Sequence, residues 1–338
     1  MAVRLTVYFT GPRQAELREE RLLAPGPGQL LVRMLASAIS PGSEMLVYRG
    51  EFPPGLPIDG SIPALAGEFR YPLAYGYAAV GQVIRVGAGV AEDWLDRRVF
   101  SFQPHTTHFL AAPEAVLPLP EGLSPEAAAF LPSTETAVNL VQDGAPILGE
   151  RLLVLGQGII GLLTTALLAR FPLGALITAD RHPLRREASL ALGVTDCLDP
   201  QAPQFKARLQ ARLPAGADLT YELSGAPAAL NDAIAATAFS GRVLIGSWYG
   251  QKRAEINLGE QFHRSRIRLV SSQVSTLAPE LSGRWDKARR FEVAWKALEG
   301  IGPEKWITHR FPIGLAGEAY RLLDESPAET IQVLLTYP

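Results

Sequence analysis

Gly156, Gly158 and Gly161 close one apolar run and open a stretch with neither glycine nor proline. The run before them, Arg151–Leu155, suits a strand buried on both faces. Leu162 to Arg170 are good helix formers. A second apolar run, Ala175 to Ala179, follows and ends at Asp180. Strand, glycine turn, helix and second strand with an acid at its end is the order that cradles a dinucleotide. Gly156 permits the turn off the strand, Gly158 lets backbone approach a pyrophosphate, and Gly161 lets helix and sheet pack closely. The loop with Gln157, Ile159 and Ile160 then offers the helix N-terminus, with free N–H groups and a positive dipole, to the phosphates. Asp180 accepts from the adenosine ribose hydroxyls and repels a 2′-phosphate, so NAD is the expected cofactor; Arg181, beside it, acts in the opposite sense.

The chain's 338 residues suit two domains, and 47% hydrophobic with 20% charged residues is the balance of a globular protein. A net charge of −2 argues against nucleic acid or an anionic membrane as the main partner. The single cysteine, Cys197, allows no intrachain disulfide and reads as a small buried hydrophobe. Met1 to Phe9 reads as a strand without the pattern of a signal peptide, and no stretch has the length of a membrane span, so a cytoplasmic location is expected.

Up to about Pro120 the chain is rich in Gly and Pro with short strand-like runs at 29–36, 78–86 and 97–102, which predicts a mostly β domain. From 124 to 274, strand-like runs (151–155, 175–179, 218–223, 242–245, 267–271) alternate with helical stretches such as 183–192, which Pro183 opens and Gly193 closes. That alternation predicts a parallel, doubly wound sheet. A helix at 285–298 and a strand at 330–336 come last, and the tail is expected to return to the first domain. The expected boundaries are 1–123, 124–274 and 275–338, with a ligand cleft between the two domains.

Five segments together resemble the medium-chain dehydrogenase/reductase superfamily: Ala36–Glu44, Tyr71–Gly81, Gly156–Gly161, Tyr221–Gly225 and Ile307–Pro312. Within it, the Ser-Pro-Gly-Ser-Glu and Gly-Tyr stretches are most similar to the bacteriochlorophyllide a dehydrogenase branch. The resemblance implies a GroES-like β domain plus a Rossmann domain, hydride transfer with a nicotinamide cofactor, and a homodimer through an edge strand near Leu269 to Ser272. It does not carry the superfamily's zinc. Pro41 stands where a cysteine precedes Gly-Ser-Asp/Glu, and Tyr77 and Ala78 stand where histidine and glutamate follow the glycine. A catalytic zinc needs three protein ligands, and a structural one four cysteines. A zinc-independent enzyme with no metal site is therefore expected.

The resemblance puts Tyr77 at the base of the substrate cleft, either as a phenol that hydrogen-bonds the reacting oxygen or as packing in the space of a metal. It puts Ser43 in the proton path and gives Glu44 the domain junction. Thr134 and Glu135, at a helix start facing the nicotinamide side, are expected to touch cofactor or substrate; Glu135 equally suits a first-turn acid. Ser224, Gly225, Ser247 and Ser272 are assigned to the cofactor, and Trp248 and Gln273 to the substrate, because they follow strand ends. His105 and His108 are expected to be loop histidines facing the cleft or solvent, not a metal pair. His309 is read as a cofactor or substrate contact or as a domain joint. The apolar segment Glu51–Tyr71 is read as a lid, a pocket wall or an oligomer contact. The expected substrate is small-molecule, bulky, partly planar and poor in charge. The expected reaction interconverts a secondary alcohol and a ketone, for example a hydroxyethyl group on a chlorin-type ring. The alternatives are an NAD(P)H-dependent enone or quinone reductase and a non-catalytic dinucleotide-binding sensor or interaction protein.

Overall fold

The computed structural model describes residues 2–58, 60 and 62–338; Met1, Asp59 and Ser61 lie outside the described residues, the last two within the segment read as a lid or wall. The chain forms two compact units, one of residues 2–132 with 302–338 and one of 133–301.

The first unit begins with β1 (Val3–Gly11), β2 (Gln14–Arg21), β3 (Leu30–Ile39), α1 (Ser43–Arg49), β4 (Leu73–Ala74), β5 (Ala79–Val86), β6 (Arg98–Ser101), β7 (His108–Ala111), β8 (Leu117–Pro118) and α2 (Pro125–Ala128). Ser124 caps α2 by accepting from the Ala127 N–H at 3.0 Å, and Pro125 occupies its first turn. The chain stays in this unit to Pro132 rather than ending at 123, because Ala127 to Leu131 are all buried.

The second unit holds α3 (Leu131–Gly144) from Ser133 onward, β9 (Arg151–Leu155), α4 (Ile159–Leu168), β10 (Ala175–Ala179), α5 (Pro183–Leu190), β11 (Asp196–Leu198), α6 (Phe205–Arg212), β12 (Ala217–Glu222), α7 (Ala229–Ala236), β13 (Thr237–Ile245), α8 (Gln261–Arg264), β14 (Arg268–Ser271) and α9 (Lys287–Ile301). Its six strands run β11-β10-β9-β12-β13-β14, every pair parallel, with the order reversing at β9/β12. Ligands of such sheets bind outside the carboxyl ends of the strands at that reversal. Apolar clusters cover both faces of the sheet, which is why β9 and β10 read as apolar runs without alternation. Each Leu, Ile or Val so buried contributes about 1.5–3 kcal/mol over leaving it exposed. The return to the first unit begins at Gly302 rather than 275, because α9 belongs to the second unit.

The tail adds β15 (Ile307–Pro312), α10 (Ala316–Glu325) and β16 (Gln332–Thr336). β16 lies antiparallel to β3 with Val333 opposite Ile39, giving the order β15-β16-β3-β5-β6-β8 with β7 also on β3; a second sheet runs β2-β1-β4. Among the described residues no helix is long and apolar enough to cross a membrane.

Candidate functional site

In the second unit the chain leaves β9 through Gly156 at φ +93, where a Cβ would stand 2.6 Å from the Leu223 backbone beyond β12. Only glycine fits so close an approach. Gly158 starts the ten-residue α4 with no side-chain cap, leaving the first-turn N–H groups to a ligand. The nearest atom to a Cβ on Gly158 is Nη1 of Arg185, at 3.8 Å, so the loop's outer face is open to a pyrophosphate. These residues fit a dinucleotide.

Asp180 is buried and bridges the loop. Its Oδ2 accepts from the Gln157 N–H at 2.7 Å and its Oδ1 from the His182 N–H at 2.8 Å. Gln157 offers only backbone. Its side chain points inward, donating to the Gly156 carbonyl at 3.0 Å and accepting from Thr165 Oγ1 at 3.1 Å. Ile159 is likewise core. Cations gather around the acid. Arg186 Nη1 donates to the carbonyls of Asp180 and Arg181 at 2.9 Å, and Arg181 Nε donates to His182 Nε2 at 3.0 Å. Burial, with Arg185 next, pushes the His182 imidazole below its ordinary range, which suits an acceptor.

The other strand ends are framed from within. Glu222, fully buried at the end of β12, accepts from the Ser224 N–H at 2.9 Å, from the Ser224 hydroxyl and from Tyr249 O–H at 2.5 Å. Burial, then the Glu222 charge, drive the Tyr249 phenol far above its ordinary value. Ser247 Oγ accepts from the Gly225 N–H at 2.9 Å and donates to the Glu222 carbonyl at 3.3 Å. The hydroxyl hydrogens of Ser224 and Ser247 are thus spent on the loop itself. Trp248 is 45% exposed at this edge.

Glu135, Asn139 and Asp143 stand four residues apart and line one face of α3. Arg290, 0% exposed, places Nε and Nη2 on Glu135 Oε1 at 3.0 and 2.8 Å and Nη1 on Asn139 Oδ1 at 2.5 Å; it also donates to the carbonyls of Val274 and Thr276. Lys287 Nζ reaches the same Glu135 oxygen at 2.6 Å. Asn139 donates to Asp143 Oδ2 at 2.9 Å and Ser272 Oγ–H donates to it at 2.6 Å. Burial raises the Asp143 carboxyl, against those two hydrogen bonds. Glu135, read as a ligand contact or a first-turn acid, and Ser272, assigned to the cofactor, are both parts of an internal clamp on the segment after β14. Gln273 closes a local turn onto Ser275. Thr134 Oγ1 is buried with no hydrogen-bond partner among the described residues. The acid–amide–acid spacing was the available signal for this clamp; nothing local announced Arg290.

In the first unit Tyr77 follows Gly76, which sits at φ +124. Tyr77 is half-buried, edge-on to Tyr75 at 6.2 Å, and packs on the core. Ser43 is the half-buried first residue of α1. Glu44, 0% exposed, accepts from the Ser40 N–H at 2.9 Å on Oε1, and from Tyr320 O–H at 2.5 Å and His105 Nε2 at 2.9 Å on Oε2. His105 Nδ1 lies 2.7 Å from Ser37 Oγ, which lies 2.6 Å from Tyr337 OH. His105 is thus no cleft or solvent histidine: it is wholly buried. The reason is that residues 105–107 thread between strands, with Val7 N–H on the His105 carbonyl, Thr107 N–H on Leu5 and Met34 N–H on Thr107. Ser37, His105 and Glu44 have the connectivity of a nucleophile–base–acid triad, but Ser37 is fully buried and has no access to a substrate. His108 is half-buried beside Thr107, and burial pushes its imidazole down.

Pro41 and Ala78 carry no donor atom for a metal, and no group of three or more His, Cys, Asp or Glu among the described residues has the arrangement of a metal site. The residues at these positions do not fit a zinc ion. His309 lies on β15, its ring stacked on Phe311 and its Nδ1 buried without a hydrogen-bond partner among the described residues. Cys197 is buried, which raises its thiol. In the segment 51–71, Phe52 and Leu65 are core, Phe52 stacks on Phe69 at 4.7 Å, and Tyr71 donates to the Val47 carbonyl.

Residues 160–291 match the family model described as zinc-binding dehydrogenase. The chain is 22% identical over 358 residues to L-galactonate-5-dehydrogenase of Escherichia coli strain K12, covering 96% of this chain and 97% of that protein. An alcohol dehydrogenase from Escherichia coli CFT073, solved with NADH, superposes at TM-score 0.80 with 19% identity over 99% of this chain and all of that one. A zinc-binding dehydrogenase of Sinorhizobium meliloti 1021, described as putative and bound to NADP, superposes at 0.78 with 18% identity and the same coverage.

Proposed function

We infer that this chain, a member of the medium-chain dehydrogenase/reductase superfamily, is an oxidoreductase that interconverts a secondary alcohol and a ketone without a catalytic metal. The observation that carries the reading is the uncapped start of α4 behind Gly156–Gly161, opposite the Asp180 carboxylate. A nicotinamide dinucleotide held there supplies or accepts the hydride. Asp180 favours NAD: two backbone N–H bonds leave lone pairs on each carboxylate oxygen for ribose hydroxyls.

Without a Lewis acid, the charge that develops on the reacting oxygen needs hydrogen-bond donors. Tyr77 and Ser43 are assigned that work, Tyr77 as the donor to the oxygen and Ser43 in the proton path. Pro41, Tyr77 and Ala78, standing where zinc ligands are expected, support this assignment. The substrate class we favour is bulky, partly planar and poor in charge, such as a hydroxyethyl side chain on a chlorin-type ring. The exposed Trp248 and the motif similarity of the Ser-Pro-Gly-Ser-Glu segment favour it. The lack of ligating side chains equally suits reduction of an enone or quinone, which is the second reading. A homodimer through β14, whose Leu269 is 36% exposed on an edge strand, and a cytoplasmic location complete the proposal.

Titration with NADH and NADPH, followed by turnover of secondary alcohols with NAD and of enones with NADH, tests this. Alcohol oxidation with NAD supports the reading. Turnover of enones alone moves the assignment to the second. NADH binding without hydride transfer to any substrate of the panel sinks both.

A further inference from the structure

The hydrogen bonds through His105 form one continuous chain from Tyr320 to Tyr337. Glu44 as carboxylate only accepts, so Tyr320 O–H and His105 Nε2–H point at it. On the other side of the ring Nδ1 is hydrogen-bonded to Ser37 Oγ, and Ser37 Oγ to Tyr337 OH. The side chains come from the stretch 37–44, from the loop at 105 and from the tail at 320 and 337, and the Tyr320 ring is fixed by Phe9 at 4.9 Å and Tyr48 at 5.5 Å. The network meets the two candidate catalytic turns directly. Glu44 Oε1 holds the Ser40 N–H and so the turn that precedes Ser43. The His105 ring lies against Gly76, where a Cβ would meet its Cδ2 and Nε2 at 2.8 Å, and Gly76 carries Tyr77.

We propose that His105 is the positioning residue of the candidate active site. Through Glu44 and through its contact with Gly76 it fixes the Ser43 turn and the Tyr77 turn in one arrangement. The inference rests on the reading that Ser43 and Tyr77 meet the substrate.

The test needs no substrate. Protein labelled with 3-fluorotyrosine gives one fluorine resonance per tyrosine, and Tyr77→Phe identifies the line of Tyr77. His105→Asn keeps an amide near the place of Nδ1, facing Ser37, and loses the bond to Glu44. His105→Gln carries an amide N–H to the place of Nε2 and keeps that bond. The expected result is that the narrow Tyr77 line splits or broadens in His105→Asn and is restored in His105→Gln. Amide hydrogen exchange should rise about tenfold at Ser40, Gly42 to Glu44 and residues 76–78 in the Asn variant and stay unchanged in β9 and β10. An unchanged Tyr77 line in His105→Asn, equal behaviour of the two variants, or a rise in exchange across the whole first unit overturns the proposal. If His105→Asn does not fold, Tyr320→Phe decides: it removes one bond to Glu44 and keeps the ring, and unaltered exchange at 40–44 overturns the inference. Turnover by Tyr77→Phe judges the functional reading separately, since the fluorine result stands whatever that variant does.

Discussion

Glu44 and Glu135 are both buried glutamates near helix starts, yet their surroundings differ in kind. Glu135 faces two permanent cations, Arg290 and Lys287, with an amide and a second acid further along α3. Glu44 has no lysine or arginine among its hydrogen-bonding partners; it is held by one imidazole, one phenol and one backbone N–H. A full ion pair locks a structure strongly, but each half depends on the other. Cutting one bond of the chain around Glu44 leaves no arginine or lysine unpaired, so it costs less stability while it loosens the turns the chain supports.

The comparison predicts a graded series. Arg290→Met should have the largest effect, because it leaves Glu135 with Lys287, which is less buried, and takes the arginine donor from the Thr276 carbonyl. Removing one partner of a buried pair costs about 3–5 kcal/mol, read as a shift in denaturation midpoint. A loss below that of Glu44→Gln would break the contrast. Tyr77→Phe comes next: about 10²-fold in turnover, or about 2.7 kcal/mol, with NADH affinity and stability near wild type. Normal turnover in that variant moves the donor role to Ser43. Glu44→Gln should cost about 1–3 kcal/mol of stability, since it orphans no permanent cation. Asp180→Ser should weaken NAD binding and raise relative NADP use about tenfold, helped by Arg181; a wild type that already prefers NADPH refutes the assignment.

The smallest effect sharpens the comparison inside the second unit. Burial raises the folded Asp143 carboxyl above its ordinary 3.8. Its stabilising contribution is therefore present below that value and lost as pH rises through the folded pKa. Asp143→Asn, which has no charge to acquire, should match wild type in acid and gain on it toward neutrality. A stability difference that does not change with pH would rule this out.

The dinucleotide loop was legible because its parts are neighbours in the chain: strand, glycines, helix and acid fall within about thirty residues. The doubly wound sheet followed from the same local alternation. The environment of His105 was not legible. Its partners are Ser37 and Glu44, with Tyr320 and Tyr337 beyond them, and they meet only when β3, α1, α10 and the tail pack together. Glu135, Asn139 and Asp143 lay between these cases. Their four-residue spacing marks a polar helix face, but sequence does not say whether such a face meets a ligand or an arginine from α9. The boundary near 302 was missed for that reason, since Arg290 ties α9 back to α3.

β16 is the last strand of the chain, and it pairs with β3, which is among the first. A ribosome therefore releases the whole parallel-sheet unit before the β unit has the residues to close. Until Tyr320 and Tyr337 emerge, Glu44 lacks its phenol partner and Ser37 lacks the Tyr337 hydroxyl. The parallel-sheet half is able to form during synthesis, while the half that carries Ser43 and Tyr77 is completed only after β16 appears.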